Sequence, residues 1–179
     1  MRPAGGTTLT ERLAVSVELE ALRRELGFVP NFFSVLSHSP LAFLAVREMQ
    51  ALMDRHAVLS PAERHLVMLA ISSEHACEYC ARYHYLMSAS VGGATEAICA
   101  VRDRLVPTEP RICALVEFSR EIVRTGGKVD EHRRAEFVAA GGSLADALDI
   151  LTLVAFTTLT NYTNHIARTP VDPAFRAMR

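Results

Sequence analysis

The spacing of apolar residues is helical along almost the whole chain, and this feature constrains the fold more than any other. In the stretch PLAFLAVREMQALMDRH, apolar residues recur at helical intervals at Leu41, Leu44, Met49 and Leu52. Strand-like alternation of apolar and polar residues, and the dipeptides that form hairpin turns, are not evident between the apolar runs. The sequence therefore predicts an all-α fold, a helical bundle.

Residues that cap helices divide the chain into its predicted elements. Gly27 closes the amphipathic stretch LTERLAVSVELEALRREL, and VPNFF begins a short connecting turn or helix. Ser60 is a predicted N-cap, followed by Pro61 at the first helical position and by Glu63, which completes a capping box. The remaining helices are predicted in residues 95–104, in PTEPRICALVEFSREIVRTGG, in DEHRRAEFVAAGG and in residues 143–167, where nearly every face is apolar.

The length of the chain fits one domain. It has 179 residues, of which 50% are apolar, so it can bury a core of ordinary size without disulfides. No linker, low-complexity segment or clear internal repeat divides the sequence. We therefore expect a single domain of residues 1–179, in which about residues 1–10 form a flexible N-terminal tail.

Charge and hydropathy argue against several classes of partner. The formal net charge of −1 shows no basic excess of the kind that nucleic-acid-binding proteins carry. The N-terminal stretch MRPAGGTTLTERL has no apolar signal core, and the apolar run ILTLVAFTTLT is too short to cross a membrane. We expect a cytoplasmic protein without nucleic-acid or membrane partners. In that compartment a Cys-x-x-Cys pair is more often redox-active or metal-binding than structural.

The stretch SSEHACEYCARYHYL concentrates the reactive side chains of the chain. On a helix, Cys77, Cys80 and His84 fall within a sector of roughly 60°, so one face carries two thiols and a base. A base within reach of a thiol can withdraw its proton and create the nucleophilic thiolate. Ser72 and Ser73 are candidate caps of a new helix; the alternative is a helix that runs through. We favour a break, because a helix N-terminus beside Cys77 would lower the pKa of its thiol.

The segment LSPAERHLVMLAISSEHACEYCARYH resembles the core of the alkylhydroperoxidase D and carboxymuconolactone decarboxylase family, in particular its peroxidase-related members. The segments LGFVPNFFSVLSHSP and NHIARTPVDPAF are similar to the flanking parts of those proteins, so the resemblance extends from about Leu26 onward. It implies an alkylhydroperoxidase D-like helical bundle that assembles as a dimer, trimer or hexamer. It also implies a hydroperoxide substrate and a thioredoxin-like or lipoyl-bearing reductant. We expect no bound cofactor or metal.

The same resemblance implies the roles of the site residues. Cys80 would attack the peroxide and become a sulfenic acid, and Cys77 would condense with it to an intramolecular disulfide. The proton-relay glutamate of the family stands twelve residues before the first cysteine, and that position holds His65 here. The residues between the cysteines are Glu78 and Tyr79, so a histidine that some relatives carry there is also absent.

We hypothesise that His65 takes the place of the relay glutamate, because a neutral imidazole also accepts and passes on a proton. With an ordinary pKa near 6.5, His65 and His84 would both lose this ability as the pH falls through about 6 to 7. The alternative is that a nearby carboxylate or water performs the relay. Glu63 and Glu74 are the carboxylates closest in sequence, and Glu74 and Tyr79 are possible supporting residues of the site.

Two other functions use the same cluster. A zinc site would combine Cys77, Cys80 and His84 with His65 or His75, although the second, distant pair of ligands common in structural zinc sites is missing. A redox-sensing protein would use the two thiols without turnover. Decarboxylation, the other activity in the family name, is less favoured, because the members that perform it do not rely on the cysteine pair.

Five further residues have structural interpretations. Cys99 and Cys113 are expected to be buried core thiols. Asn161, Asn164 and His165 form a polar end on an apolar helix, for which a structural hydrogen-bond cluster is favoured over a catalytic role.

Overall fold

The computed structural model describes residues 8–176, and within that range the protein consists of helices without a strand. The helices are α1 (Leu9–Leu26), α2 (Asn31–Leu36), α3 (Pro40–His56), α4 (Pro61–Glu74), α5 (Glu78–Ser90), α6 (Thr95–Arg102), α7 (Pro110–Thr125), α8 (Glu131–Ala139) and α9 (Leu144–Ala167), followed by a 3-10 turn at Pro173–Phe175. The predicted all-α fold is confirmed.

The helix boundaries follow the capping residues of the sequence. In the predicted capping box of α4, Glu63 N–H donates to Ser60 Oγ at 3.3 Å and Ser60 N–H donates to Glu63 Oε2 at 2.8 Å. Gly27 closes α1 in the left-handed conformation, with φ of 79°. Of the expected N-terminal tail, residues 1–7 lie outside the described part of the chain, and α1 begins at Leu9, directly after the cap Thr8.

Helix α4 lies at the centre of the bundle and packs against α5, α6, α7 and α9. Its residues from Leu66 to Ser73 are all buried, which is why this segment reads as a nearly continuous apolar run. Burial of each large side chain, such as Leu69 or Ile71, contributes about 1.5–3 kcal/mol relative to exposure. A rigid, fully packed α4 therefore positions the residues at its C-terminal end.

Helix α9 is longer than the apolar run that was expected to be too short for a membrane. An 18-residue window of this 24-residue helix has a mean hydropathy of 1.3, so by length and composition alone α9 could cross a membrane, and the argument from a short apolar run does not hold. A core helix meets the same criterion, and α9 packs one face on α4, α5 and α7. Leu144, Leu148 and Leu151 lie on its opposite, exposed side.

The C-terminal segment is fastened to α2 and α5 through one buried carboxylate. Asp172 accepts the backbone N–H of Asn31 at 3.1 Å and the hydroxyl of Tyr79 at 2.5 Å. The backbone N–H of Phe32 donates to the same Tyr79 oxygen at 3.3 Å. Burial and the bond to Asp172 raise the pKa of Tyr79 above its ordinary value, so this hydroxyl stays protonated at neutral pH. The network fixes α5 just after the first cysteine.

Candidate active site

A sharp turn between α4 and α5 places Cys77 at a helix N-terminus. Helix α4 ends at Glu74 and α5 begins at Glu78, with Cys77 as its N-cap residue. Ala76 has φ of 55°, a left-handed conformation that is strained for a residue with a Cβ atom. The favoured break before Cys77 is confirmed. The proposed capping serines are wrong, however, because Ser72 and Ser73 lie inside α4.

Cys77 and Cys80 are neighbouring free thiols in the protein core. Their residues are only 2% and 5% exposed, and the two side chains are hydrogen-bonded to each other. The bond from the Cys80 thiol, aided by the N–H groups of Cys80 and Tyr79 and by the Asn164 side chain, lowers the pKa of Cys77 despite burial. The same bond and burial raise the pKa of Cys80. The pair therefore loses its first proton as a unit, with Cys77 holding most of the negative charge.

His65, which is half-buried, and His84, which is buried, form a pair that links α4 to α5. Their Nδ1 atoms are 3.2 Å apart, so one ring donates a proton and the other accepts it. Burial, with a contribution from the nearby charge of Arg64 and against that of Asp54, lowers the pKa of His65 to about 4. Burial and the adjacent His65 also place the pKa of His84 well below its ordinary value. Both rings are neutral at pH 7, which corrects the expectation that they titrate between pH 6 and 7.

The alternative relay carboxylates are held in ion pairs. Glu74 accepts two hydrogen bonds from Arg124, at 3.0 and 2.8 Å. Glu63 closes the α4 capping box and accepts Nε–H of Arg111 at 2.6 Å. Hydrogen bonds to Ser60 and Arg111 outweigh burial and lower the pKa of Glu63, so this carboxylate is a poor proton acceptor. Of the relay candidates, His65 is the one that contacts His84.

A polar face of α9 reaches the cysteines, and the sequence interpretation missed this role. Nδ2 of Asn164 donates to Sγ of Cys80 at 3.1 Å. Asn161 instead binds Nδ1 of His75 at 3.0 Å, and the exposed His165 stacks beside Tyr162, so the expected polar cluster divides into separate contacts. The sequence signal that could have indicated this contact is the spacing of Asn161 and Asn164, which lie three residues apart on one face of an otherwise apolar helix.

The zinc site and the two further cysteines are the remaining candidates for metal and thiol chemistry. Within residues 8–176, no group of three or more His, Cys, Asp or Glu side chains is arranged to hold a metal ion. Of the two proposed fourth zinc ligands, His65 contacts His84, which is itself a proposed ligand, and His75 contacts Asn161. Cys99 and Cys113 are half-exposed rather than buried, which corrects their assignment to the core.

Comparison with known proteins identifies the segment that carries this site. Residues 40–110 match the sequence model of the carboxymuconolactone decarboxylase family. No curated protein matches the chain.

Solved structures match over nearly the whole chain. The core of alkylhydroperoxidase AhpD from Ralstonia eutropha JMP134, an uncharacterized peroxidase-related protein, has a TM-score of 0.82 at 24% identity, over 99% of this chain and 97% of that chain. An uncharacterized peroxidase-related protein from Silicibacter sp. TM1040 has a TM-score of 0.79 at 20% identity, over 99% and 91%. The debrominase Bmp8 has a TM-score of 0.74 at 15% identity, over 96% and 92%.

The matched residues 40–110 span α3 to α6 and therefore include both cysteines and both histidines of the pair. The chain thus has the fold of the alkylhydroperoxidase D core and peroxidase-related proteins, and its residues 40–110 carry the pattern of the carboxymuconolactone decarboxylase family, as the sequence resemblance predicted.

Proposed function

We propose that this protein is a cytoplasmic thiol-dependent peroxidase that reduces hydrogen peroxide or organic hydroperoxides through Cys77 and Cys80. One observation carries the proposal: two hydrogen-bonded thiols lie at a helix N-terminus, Cys80 is one helical turn before His84, and His84 contacts His65. A peroxide needs a thiolate to attack its weak O–O bond and a proton for the departing oxygen. The site offers both kinds of group.

The first step oxidises one cysteine by two electrons. The Cys80 sulfur attacks the terminal oxygen of the hydroperoxide, the O–O bond breaks, and the alkoxide leaves with a proton to become an alcohol. Cys80 becomes a sulfenic acid. For this attack the Cys80 proton passes along its hydrogen bond to the Cys77 thiolate, which is the more acidic partner of the pair.

The second step closes the disulfide and the third reopens it. Cys77 attacks the sulfenic sulfur of Cys80 and releases water, so no further oxidant is consumed. A dithiol reductant of the thioredoxin-like or lipoyl-bearing class then supplies two electrons and two protons and restores both thiols. Cys77 and Cys80 lie one helical turn apart, at the cap and in the first turn of α5, which favours bond formation between their sulfurs.

The histidine pair is suited to move the protons of the first step. One ring donates through Nδ1 and the other accepts there, so a proton can enter at one ring as another leaves the second. Both rings are neutral at pH 7 because burial lowers their pKa values, and a neutral ring can both accept and donate. His65 thereby takes the place of the family's relay glutamate in this proposal.

Mass spectrometry with cysteine mapping tests the function and the site together. Reduced protein treated with one equivalent of cumene hydroperoxide is expected to form a Cys77–Cys80 disulfide, while Cys99 and Cys113 stay reduced. Repeated additions with dithiothreitol as reductant should consume peroxide in excess of protein. Oxidation that stops after one equivalent despite the reductant would support a redox sensor, and no oxidation would contradict both functions.

Two serine variants assign the roles of the thiols. Cys80→Ser should abolish peroxide consumption, whereas Cys77→Ser should still react once and leave a sulfenic acid that dimedone traps. Cys99→Ser is the matched control, because it removes a thiol outside the pair. If Cys77→Ser cannot react while Cys80→Ser forms the trapped acid, the attacking thiol is Cys77, in line with its lower pKa.

We also propose that the protein is a homo-oligomer, a dimer, trimer or hexamer. A groove between α7, α8 and α9 is lined by apolar residues, and the rim residues Val138, Leu144 and Leu148 are strongly exposed. Exposed apolar surface of this kind marks contact sites in proteins. A second copy of the chain would cover it, and light scattering of a stable monomer at micromolar concentration would rule this out.

A further inference from the structure

One buried carboxamide faces the cysteine pair from α9. Asn164 is 4% exposed, and its Nδ2 lies 3.1 Å from Sγ of Cys80. The same side chain contributes to the lowered pKa of the Cys77 thiol. Asn164 lies in the last turn of α9, where its carbonyl oxygen accepts the N–H of Thr169 at 3.1 Å, so its backbone is fixed. Its side-chain NH₂ group therefore contacts the Cys80 sulfur from a fixed backbone position.

The other end of this carboxamide has no partner within the described chain. Oδ1 of Asn164 is buried and accepts no hydrogen bond from residues 8–176. Buried polar atoms are nearly always paired, and leaving one unpaired costs about 1–3 kcal/mol. Oγ1 of Thr157, two turns earlier on the same face of α9, is also buried and without a partner there. Two polar atoms without partners thus lie on the helix face that meets the cysteines.

The chemistry around Oδ1 restricts what could bind it. A suitable group donates a hydrogen bond, is small enough for a buried site, and lies next to the Cys80 sulfur that Nδ2 contacts. The terminal O–H of a hydroperoxide meets all three conditions when its oxygen approaches Sγ. The sulfenic acid that forms on Cys80 carries an O–H group at the same place.

We propose that Asn164 is a catalytic residue of this site, which donates from Nδ2 to the reacting sulfur and accepts the hydroperoxide O–H at Oδ1. This inference rests on the proposed peroxidase function. It adds a substrate contact outside the Cys-x-x-Cys-x-x-x-His motif and outside the matched residues 40–110. Orienting the peroxide oxygen against the sulfur would place the reactants in attack geometry.

Thiol alkylation tests the contact with sulfur without any peroxide. In Asn164→Leu the sulfurs lose an N–H donor, so we expect at least about a tenfold lower rate of iodoacetamide alkylation below the thiol pKa. Asn164→Asp keeps the shape of the side chain but places a carboxylate beside the sulfur, so its alkylation profile should shift further toward alkaline pH. It also serves as a second variant if the leucine protein does not fold.

Cumene hydroperoxide then tests the acceptor role. The oxidation rate constant is divided by the thiolate fraction obtained from alkylation, which removes the effect of the changed pKa. This corrected rate constant should be at least about tenfold lower in Asn164→Leu than in the unmodified protein, because leucine also lacks Oδ1. Asn164→Asp retains an acceptor oxygen and should keep more of the corrected rate. The melting temperatures of both variants are measured as well. If Asn164 had a purely structural role, its replacement would lower the melting temperature without moving the alkylation profile.

Asn161 supplies matched controls three residues away on the same buried face. It binds His75 and Ser72 rather than sulfur, so Asn161→Leu and Asn161→Asp should leave the alkylation profile in place. An Asn164→Leu protein with unchanged alkylation and oxidation rates would overturn the inference while the peroxidase function stands. If peroxide does not oxidise the unmodified protein, the peroxidase function fails, and the acceptor role of Asn164 fails with it. A shifted alkylation profile in the Asn164 variants would still show the contact with sulfur.

Discussion

The two halves of α9 depart from the usual relation between polarity and burial at different kinds of residue. In the first half, Leu144, Leu148 and Leu151 are exposed, on the side away from the packed face. In the second half, Thr157, Thr160 and Asn164 are buried, and Thr160 and Asn164 adjoin the Cys80 thiol. Apolar surface is usually removed from water and polar side chains usually remain in it, so each half departs from the rule in its own way.

The contrast separates two kinds of evidence for function. Exposed leucines on a helix cost little in an isolated chain, and they indicate a surface that another molecule covers. Buried polar side chains cost free energy unless they are bonded, so their presence indicates a local chemical requirement. The first half of α9 therefore points to assembly, and the second half to the thiol site.

Truncating the residue that joins the two halves should have the largest effect. Phe156 is 4% exposed and lies in the main core, so Phe156→Ala should lower the free energy of unfolding by about 3–5 kcal/mol. Leu148→Ala removes a side chain whose residue is 55% exposed and should change it by less than about 0.5 kcal/mol per isolated subunit. Urea unfolding in dilute protein measures both. Equal losses of unfolding free energy in the two variants would mean that Leu148 is as buried as Phe156.

On the side of the thiol site, His65→Gln should slow thiol oxidation by about 10²-fold without preventing the disulfide, because proton transfer is impaired. Stopped-flow oxidation with hydrogen peroxide measures the rate. His65→Glu restores the residue of the family pattern and serves as the comparison variant. An unchanged rate in His65→Gln from pH 5 to 8 would remove His65 from the relay.

The pH dependence of the relay should lie at lower pH than the sequence suggested. Because the pKa of His65 is lowered to about 4, the ring keeps its accepting ability down to about pH 5 and loses it as the pH falls further. The folded protein resists protonation of this ring between about pH 6.5 and 4, so stability is lost on acidification through that window, by at most about 1.4 kcal/mol per pH unit. The pH dependence of the oxidation rate, corrected for thiolate fraction, tests the loss of proton acceptance. Urea unfolding at a series of pH values tests the loss of stability.

A charge on the exposed half should affect assembly but not chemistry. Leu148→Glu places a carboxylate on the apolar rim and should reduce the molar mass in light scattering, because desolvating that charge in an interface is unfavourable. Formation of the Cys77–Cys80 disulfide should continue. Leu26→Glu is a control for an exposed leucine on α1, at a distance in sequence from this rim. An unchanged mass in Leu148→Glu would place the interface elsewhere.

The smallest effect is expected for the thiols outside the pair. Cys99→Ser and Cys113→Ser replace half-exposed residues of α6 and α7, so each should alter stability by no more than about 0.5 kcal/mol. Oxidised disulfide per subunit, measured by mass spectrometry, should be unchanged. A large loss in either variant would mean that the site extends beyond the region between α4, α5 and α9.

The sequence by itself determined the helices and the elements of the motif, because these depend on residues a few positions apart. Capping at Ser60 and Gly27 and the spacing of Cys77, Cys80 and His84 are local patterns, set by the 3.6-residue period of the helix and by chain-end hydrogen bonding. The family resemblance came from the same continuous segment. The capping of α5 by Cys77 itself, through the left-handed Ala76, had no local sequence signal such as glycine or proline.

Tertiary structure alone decided which groups of the site meet and how they ionise. Contact between His65 and His84 bridges two helices, and the bond from Asn164 to Cys80 joins positions 84 residues apart. The pKa of His65 falls to about 4 because packing removes the ring from water, a property that no spacing along one helix records. Helical periodicity assigns a residue to a face, whereas the partner of that face depends on how whole helices pack.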